Sequence, residues 1–490
     1  MYAHECTIAA TADKTKAVPM TPGWTTVLGI VLVAFVLGMF AISFWAQRQV
    51  HSVEDFIVAG RRLPFSLALP GLFATWFGAG TLLTATDEVR AEGLRAIALE
   101  PLGSGLCLVV AGIWFAGPLW NRKLLTVMDF YRDRFGPRAE WVSGALMVPG
   151  YFGWIAAQFL ALGGILESFF ALPTGLGVLT VAVVGALYTL IGGMWSVTLT
   201  DAIQIGILVL GLMVLGGTLC FELGSGDPVG GLNVLWSNIA PEKRVILPLE
   251  NRSELVSWLT VLAIAALGNI PAQDLTQRIS ASKSAAVARR ACIVAGIAYI
   301  FIGLIPVVIG LGASPYISAD ATSSLPAIAS RFLHPAAAIL FILAIVSAVL
   351  STIDSAILSP ATVIAQNIIP QWPRLAARLP TGIALNRWAV AFVTVASLAL
   401  AFSGAGAYEL LEAAYAIGLV ALLVPLAGGL ASERGGERAA LACMSIATAV
   451  WAAHLALGVE DFLALTPLIP ASLAATLIGL LTYVGVARSG

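Results

Sequence analysis

The sequence predicts an all-α polytopic membrane protein of about thirteen transmembrane helices. Three observations carry this. Hydrophobic residues make up 59% of the chain and charged residues 11%, whereas a soluble domain carries about 25% charged residues. Apolar runs of spanning length, about 20 residues each, recur along the 490 residues. Two of those runs, five spans apart, are interrupted by glycine or proline. Paired broken spans point to an inverted-repeat transporter with a binding site near the bilayer midplane.

The spans are expected near 24–46, 65–89, 97–120, 140–168, 173–193, 197–222, 253–277, 286–312, 335–366, 386–404, 408–430, 437–457 and 463–486. Residues 1–23 form a polar tail with Lys14 and Lys16 and show no cleavable signal pattern. The longest loop, 222–252, reads as about 30 polar residues, and no loop is large enough for a separate domain. The chain therefore reads as one transporter domain over 1–490. A first repeat covers 65–222 (spans 2–6) and a second 253–430 (spans 7–11). Span 1 and the two C-terminal accessory spans, within 437–486, are peripheral.

Thirteen spans place the termini on opposite sides of the bilayer. Of the 26 Lys and Arg residues, 18 fall in the loops of one side, which the positive-inside rule assigns to the cytoplasm. The expected topology is a multi-pass cell-membrane protein with the N-terminus outside and the C-terminus cytoplasmic. A net charge of −1 excludes a nucleic-acid footprint built on excess base. The five cysteines match neither a zinc site nor a disulfide framework. The four histidines are dispersed, and no serine or cysteine has a base partner in view, so no enzyme is expected.

Span 2 contains Ala74-Thr75-Trp76-Phe77-Gly78-Ala79-Gly80. Two glycines around one residue either allow close helix packing or mark an unwound segment whose carbonyls face a cavity. Span 7 has a matching interruption, Gly268-Asn269-Ile270-Pro271, where proline removes a donor and clashes with the preceding turn. In span 9, Ser347, Ser351 and Ser355 share one helical stripe beside Thr352 and Asp354. Such a stripe is either polar glue between helices or part of a hard-cation site, for which hydroxyls and freed carbonyls supply neutral oxygens. Asp87, Glu409 and Glu412 lie near span ends, where carboxylates are ordinarily solvated. Asp201 opens span 6, Glu100 begins span 3, and Asp354 is deeper and has no nameable partner.

Five segments resemble the sodium:solute symporter family: EDFIVAGRRLP (54–64), LLTVMDFYRDRFG (124–136), YTLIGGMWSVTLTDAIQ (188–204), GNIPAQDLTQRISASKS (268–284) and SAVLSTIDSAILS (347–359). The resemblance covers roughly residues 55–430. It implies a LeuT-type fold of five plus five inverted repeats and cotransport driven by sodium. It further implies a sodium site built from the carbonyls of Ala74, Phe77 and Ala348 and the side chains of Ser351 and Thr352, with Asp201 nearby.

Span 2 is most similar to the high-affinity choline transporter branch, which shares Ala-Thr-Trp before its glycines. Trp76 and Trp154 would match aromatic walls facing a quaternary ammonium by cation–π attraction, although Trp76 also suits a hydrophobic lid. Ala272 and Leu411 stand where that branch has aromatic residues. The expected pocket is bounded by Phe73, Trp76, Trp154, Asn269 and Gln273, with Glu100 near the place where sugar-carrying members hold a polar ligand. The resulting expectation is sodium-coupled symport of a small organic solute by alternating access, with no obligate protein partner. The rivals are a proton-coupled symporter of the same fold, using Asp201 or Asp354, and a sensor that has lost transport.

Overall fold

A computed structural model describes residues 22–317, 324–404, 414–459 and 469–489. The N-terminal tail to residue 21, and Glu409, Leu411 and Glu412, lie outside the described residues. The described chain is helical almost throughout, with a single isolated bridge between Leu63 and Ser282.

Ten helices are long and apolar enough to cross a membrane, and two bent helix pairs are further spans. One of the ten, Thr174–Leu223, has 50 residues, about 75 Å at 1.5 Å per residue and more than twice the ~30 Å hydrocarbon core. It breaks at Gly193, whose φ of +52° and ψ of −145° are not helical. Counted as two spans, it brings the described total to thirteen. A Cβ at Gly193 would sit 2.5 Å from the Phe56 carbonyl oxygen, so both the left-handed φ and the space require glycine there.

The spans in order are Pro22–Gln49, the bent pair Phe65–Trp76 and Gly80–Glu92, Leu94–Asn121, Pro137–Phe170, the two arms of Thr174–Leu223, and the bent pair Arg252–Gly268 and Gln273–Ala281. Ala285–Gly312, Pro335–Gln371, Ile383–Ala401, Ala414–Ala431, Glu437–Leu457 and Ala471–Arg488 complete the set. Spans 2 and 7 bend by 56° and 43° at the two interruptions, which are therefore true breaks of the helix.

Span 9 runs through the middle of the bundle, and every residue from Phe341 to Val363 is buried. Span 1 is peripheral: Ile30, Val33, Leu37, Phe44 and Trp45 point outward. The short strand-like pairing at Leu63 ties the entry of span 2 to the exit of span 7. Leu63 N donates to the Ala281 carbonyl at 3.0 Å, and Lys283 N to that of Leu63 at 2.9 Å.

The loop over 222–252 departs from its polar reading. It holds a helix, Pro228–Ser237, with Asp227 accepting from Val229 and Gly230 N at its start. Val229, Leu232, Trp236, Val245, Ile246, Leu247 and Leu249 are exposed. Val245, Ile246 and Leu247 are consecutive and Leu249 follows Pro248, so the segment is less polar than that reading allowed.

Candidate ion and solute site

The two expected walls of the ion site meet. Gly78 N turns aside to the Trp76 carbonyl at 3.0 Å and so leaves the Ala74 carbonyl without its helical donor. Thr352 Oγ1 lies 3.2 Å from that carbonyl and 3.2 Å from the carbonyl of Ala348. Phe77, with φ −85° and ψ 68°, ends the first half of span 2. A Cβ at Gly78 would stand 2.5 Å from Thr352 Oγ1 and 2.8 Å from Gln158 Oε1, so glycine permits this approach. Gln158 Oε1 accepts from Ala79 N at 2.9 Å and holds the unwound segment in place. Freed carbonyls and hydroxyls are the neutral oxygen set a hard monovalent cation takes, so Ala74, Phe77, Ala348, Ser351 and Thr352 fit sodium chemically.

Ser351 donates to Asp201 Oδ1. The other oxygen of Asp201 lies 2.9 Å from Arg278 Nη2, in an ion pair only 3% and 0% exposed. The contact is close yet misaligned, since Oδ2 has no hydrogen bond of proper geometry. Arg278 also donates to Ser355 Oγ at 2.5 Å and Thr198 Oγ1 at 3.2 Å. The charge balance beside the candidate ion site therefore includes Arg278, one of the 18 basic residues expected in loops, which instead lies buried in the second half of span 7. Asp354 is buried next to this group, and its Oδ1 has no hydrogen-bond partner among the described residues.

Beside the broken segments lies a cavity of about 40 Å³, room for only a few water molecules. Trp76, Tyr151, Trp154, Asn269, Asp274 and Tyr415 are among its lining. Asp274 is the new element. Trp76 Nε1 donates to its Oδ2 at 2.6 Å, and the Tyr151 hydroxyl donates to Oδ1. The carboxylate is thereby fixed between two aromatic walls, with Trp154 5.8 Å from the Tyr151 ring.

Three residues expected in the pocket do not line this cavity. Phe73 packs behind it, stacked on Phe77 at 4.8 Å. Gln273 faces the segment before the helix Val127–Phe135, accepting from Val127 N at 2.8 Å and donating to the Leu125 carbonyl at 3.2 Å. The adjacent helix start turns its side chain away from the cavity and that of Asp274 into it. Glu100 is enclosed by hydroxyls one layer behind the cavity wall. The available signal for Asp274 was a carboxylate three residues after the proline of a broken span.

The chain is 29% identical to the high affinity choline transporter 1 of Homo sapiens over 69% of its own length. It spans 61% of that relative's length. It is 25% identical to the sodium/pantothenate symporter of Escherichia coli (strain K12), over 91% of this chain and 95% of that one. Among solved structures, the substrate-bound outward-open state of a Na+-coupled sialic acid symporter superposes with a TM-score of 0.74 at 17% identity, covering 94% and 98% of the two chains. MhsT in complex with L-phenylalanine gives 0.53 at 14% identity, covering 86% and 98%. These two likenesses show the LeuT-type fold. The family model described as the sodium:solute symporter family matches residues 56–446, and the chain belongs to that family.

Proposed function

We propose that this protein is a cell-membrane symporter that couples sodium entry to the uptake of a small organic cation of the quaternary-ammonium class, of which choline is the simplest test. One observation carries the choice of solute: the buried Asp274 carboxylate, fixed by Trp76 and Tyr151, at the wall of an aromatic cavity whose lining includes no Lys, Arg or His. Aromatic faces attract a desolvated cation by up to about 2 kcal/mol each, and a buried carboxylate gains a counter-charge. A solute bearing a carboxylate would meet Asp274 as a like charge. Two walls missing from the expected cage, at Ala272 and Leu411, have substitutes in Tyr151 and Tyr415.

The cycle follows from the contacts. Sodium between the break of span 2 and span 9 fixes the geometry of Trp76, two residues from the Ala74 carbonyl. The solute then bridges spans 2, 4, 7 and 11. Two sets of contacts tie the span ends together. On the cytoplasmic side of the expected topology, Arg61 Nη2 donates to the Lys123 carbonyl at 2.8 Å and the Leu124 carbonyl at 3.1 Å. On the opposite side, Lys243 Nζ reaches the Arg90 carbonyl at 2.5 Å, and Arg95 pairs with Glu254 at 3.1 Å. Opening one set at a time gives alternating access, and each ligand acts only through its preference for one state.

The test is uptake of labelled choline into proteoliposomes under an inward sodium gradient, against the same gradient of potassium. Sodium dependence is expected, and Ser351→Ala and Thr352→Ala should raise the sodium concentration for half-maximal uptake at least tenfold. Uptake that is equal in potassium removes sodium coupling. Uptake in potassium driven by a proton gradient assigns the coupling to protons instead.

A further inference from the structure

Glu100 is 2% exposed, and its hydrogen-bond partners are four neutral hydroxyls from four different spans. Thr81 Oγ1 of span 2 lies 3.0 Å from Oε2, and the Tyr299 hydroxyl of span 8 lies 2.8 Å from the same oxygen. Ser104 Oγ of span 3 lies 2.7 Å from Oε1, and the Tyr415 hydroxyl of span 11 lies 3.4 Å from it. Two more oxygen pairs complete the cluster. Tyr299 and Thr81 touch each other, and the Tyr299 hydroxyl is 2.8 Å from the Trp76 carbonyl at the break of span 2.

A count of hydrogens decides what this cluster is. Six oxygen–oxygen contacts at bonding distance each need a hydrogen between them. The four hydroxyls bring one hydrogen apiece, and an ionised carboxylate brings none. Tyr299 shows the shortage most clearly. If it donates to the Trp76 carbonyl, its lone pairs face an anionic oxygen; if it donates to Glu100, the carbonyl loses it. A hydrogen on Oε2 raises the filled contacts from four to five: Glu100 donates to Tyr299, Tyr299 to the Trp76 carbonyl, and Thr81, Ser104 and Tyr415 to Glu100, leaving only the Tyr299–Thr81 contact without one.

We propose that Glu100 is a proton-binding site, holding a proton on Oε2 and thereby latching spans 2, 3, 8 and 11 around the solute cavity. The proton comes from water, forms one O–H bond and changes the carboxyl charge from −1 to 0. When it leaves, Oε2 and the Tyr299 oxygen repel and the latch loosens at the wall formed by Trp76 and Tyr415. The titratable groups around it are Tyr299 of span 8, Tyr415 of span 11, Cys107 of span 3 and, beyond Tyr415, Asp274 of span 7. None is a cation that would stabilise the carboxylate. The site is separate from Ser351 and Thr352 and does not depend on which solute is carried.

The direct test is infrared difference spectroscopy of the purified wild-type protein between acid and alkaline pH. A carbonyl band of a buried protonated carboxylic acid should vanish at alkaline pH and be absent at every pH from Glu100→Gln. Absence of such a band in wild type, or its persistence in Glu100→Gln, overturns the proposal. Glutamine brings two hydrogens in place of one, filling all six contacts, so Glu100→Gln should keep its fold and lose the pH dependence. In wild type, choline affinity measured on the same preparation should fall on the order of tenfold from acid to alkaline pH and stay constant in Glu100→Gln. An equal pH dependence in both refutes the latch. Tyr299→Phe leaves three contacts with three hydroxyl hydrogens, so the band should titrate at lower pH than in wild type; an unchanged titration also counts against the proposal. If choline does not bind at all, the reading of the solute fails while the band still decides the proton site.

Discussion

Asp274→Asn separates the charge of Asp274 from its shape. An ammonium seated over the Trp76 face lies within about 6 Å of the ring centroid, and Trp76 Nε1 is 2.6 Å from the carboxylate. A charge pair at about 6 Å in an effective dielectric of about 20 is worth about 3 kcal/mol, or about a hundredfold in affinity. Asparagine keeps the volume and one oxygen acceptor. Either the Trp76 or the Tyr151 donor is then left without its oxygen, costing roughly 1–3 kcal/mol of stability. A thermal melt in detergent measures that second effect. The assay compares choline with its neutral carbon isostere, in which a tert-butyl group replaces the trimethylammonium, as competitors of labelled choline in wild-type and Asp274→Asn proteoliposomes. Choline should weaken about a hundredfold and the isostere by less than about threefold. An equal loss for both would mean that Asp274 only braces the aromatic wall, and the assignment of a cationic solute would fall.

Two further substitutions probe the frame around the site. Gly193→Ala forces a positive φ on alanine and drives its Cβ to 2.5 Å from the Phe56 carbonyl; at least about 1–3 kcal/mol should be lost, visible as a lower melting temperature and a lower yield of folded protein, whereas an unchanged melt would refute the tight turn. Gln273→Ala should leave the KM for solute within about twofold, because its amide serves Val127 and Leu125, and should instead speed proteolysis of the segment 122–127.

The span pattern was legible because hydropathy is a local property, and the helix breaks because glycine and proline act where they stand. The proposed ion site was open to expectation for a related reason: its candidate ligands come from two short stretches, Ala74–Phe77 and Ala348–Thr352, each visible as a polar interruption in lipid-length sequence. The solute cavity was only half legible. Tyr151, Asp274 and Tyr415 come from three spans separated by more than a hundred residues each, and nothing in the immediate sequence of Tyr151 or Tyr415 distinguishes them from packing aromatics. Asp274 followed a helix break, yet its neighbour Gln273 looked equally suitable. The choice between them depends on the direction in which the helix Gln273–Ala281 restarts, a consequence of the 43° bend. Gln158 escaped notice and Arg278 reads as a loop residue, because each acts on a partner at least 77 residues away.

The Arg278–Asp201 pair has a mechanical consequence. Separating two charges buried to this degree leaves each uncompensated, at about 3–5 kcal/mol, somewhat less than the roughly 5.5 kcal/mol a ligand must supply to invert a two-state equilibrium from 1:99 to 99:1. The second half of span 7, the start of span 6 and the middle of span 9 are therefore riveted together at one point. Around it the contacts between spans 2 and 9 are neutral hydroxyl bonds, Thr75 with Ser355 and Thr352 with Ala74, which exchange at little net cost. Arg278 with Asp201 is thus the costliest contact to part in this region, and the neutral seam between spans 2 and 9 the cheapest.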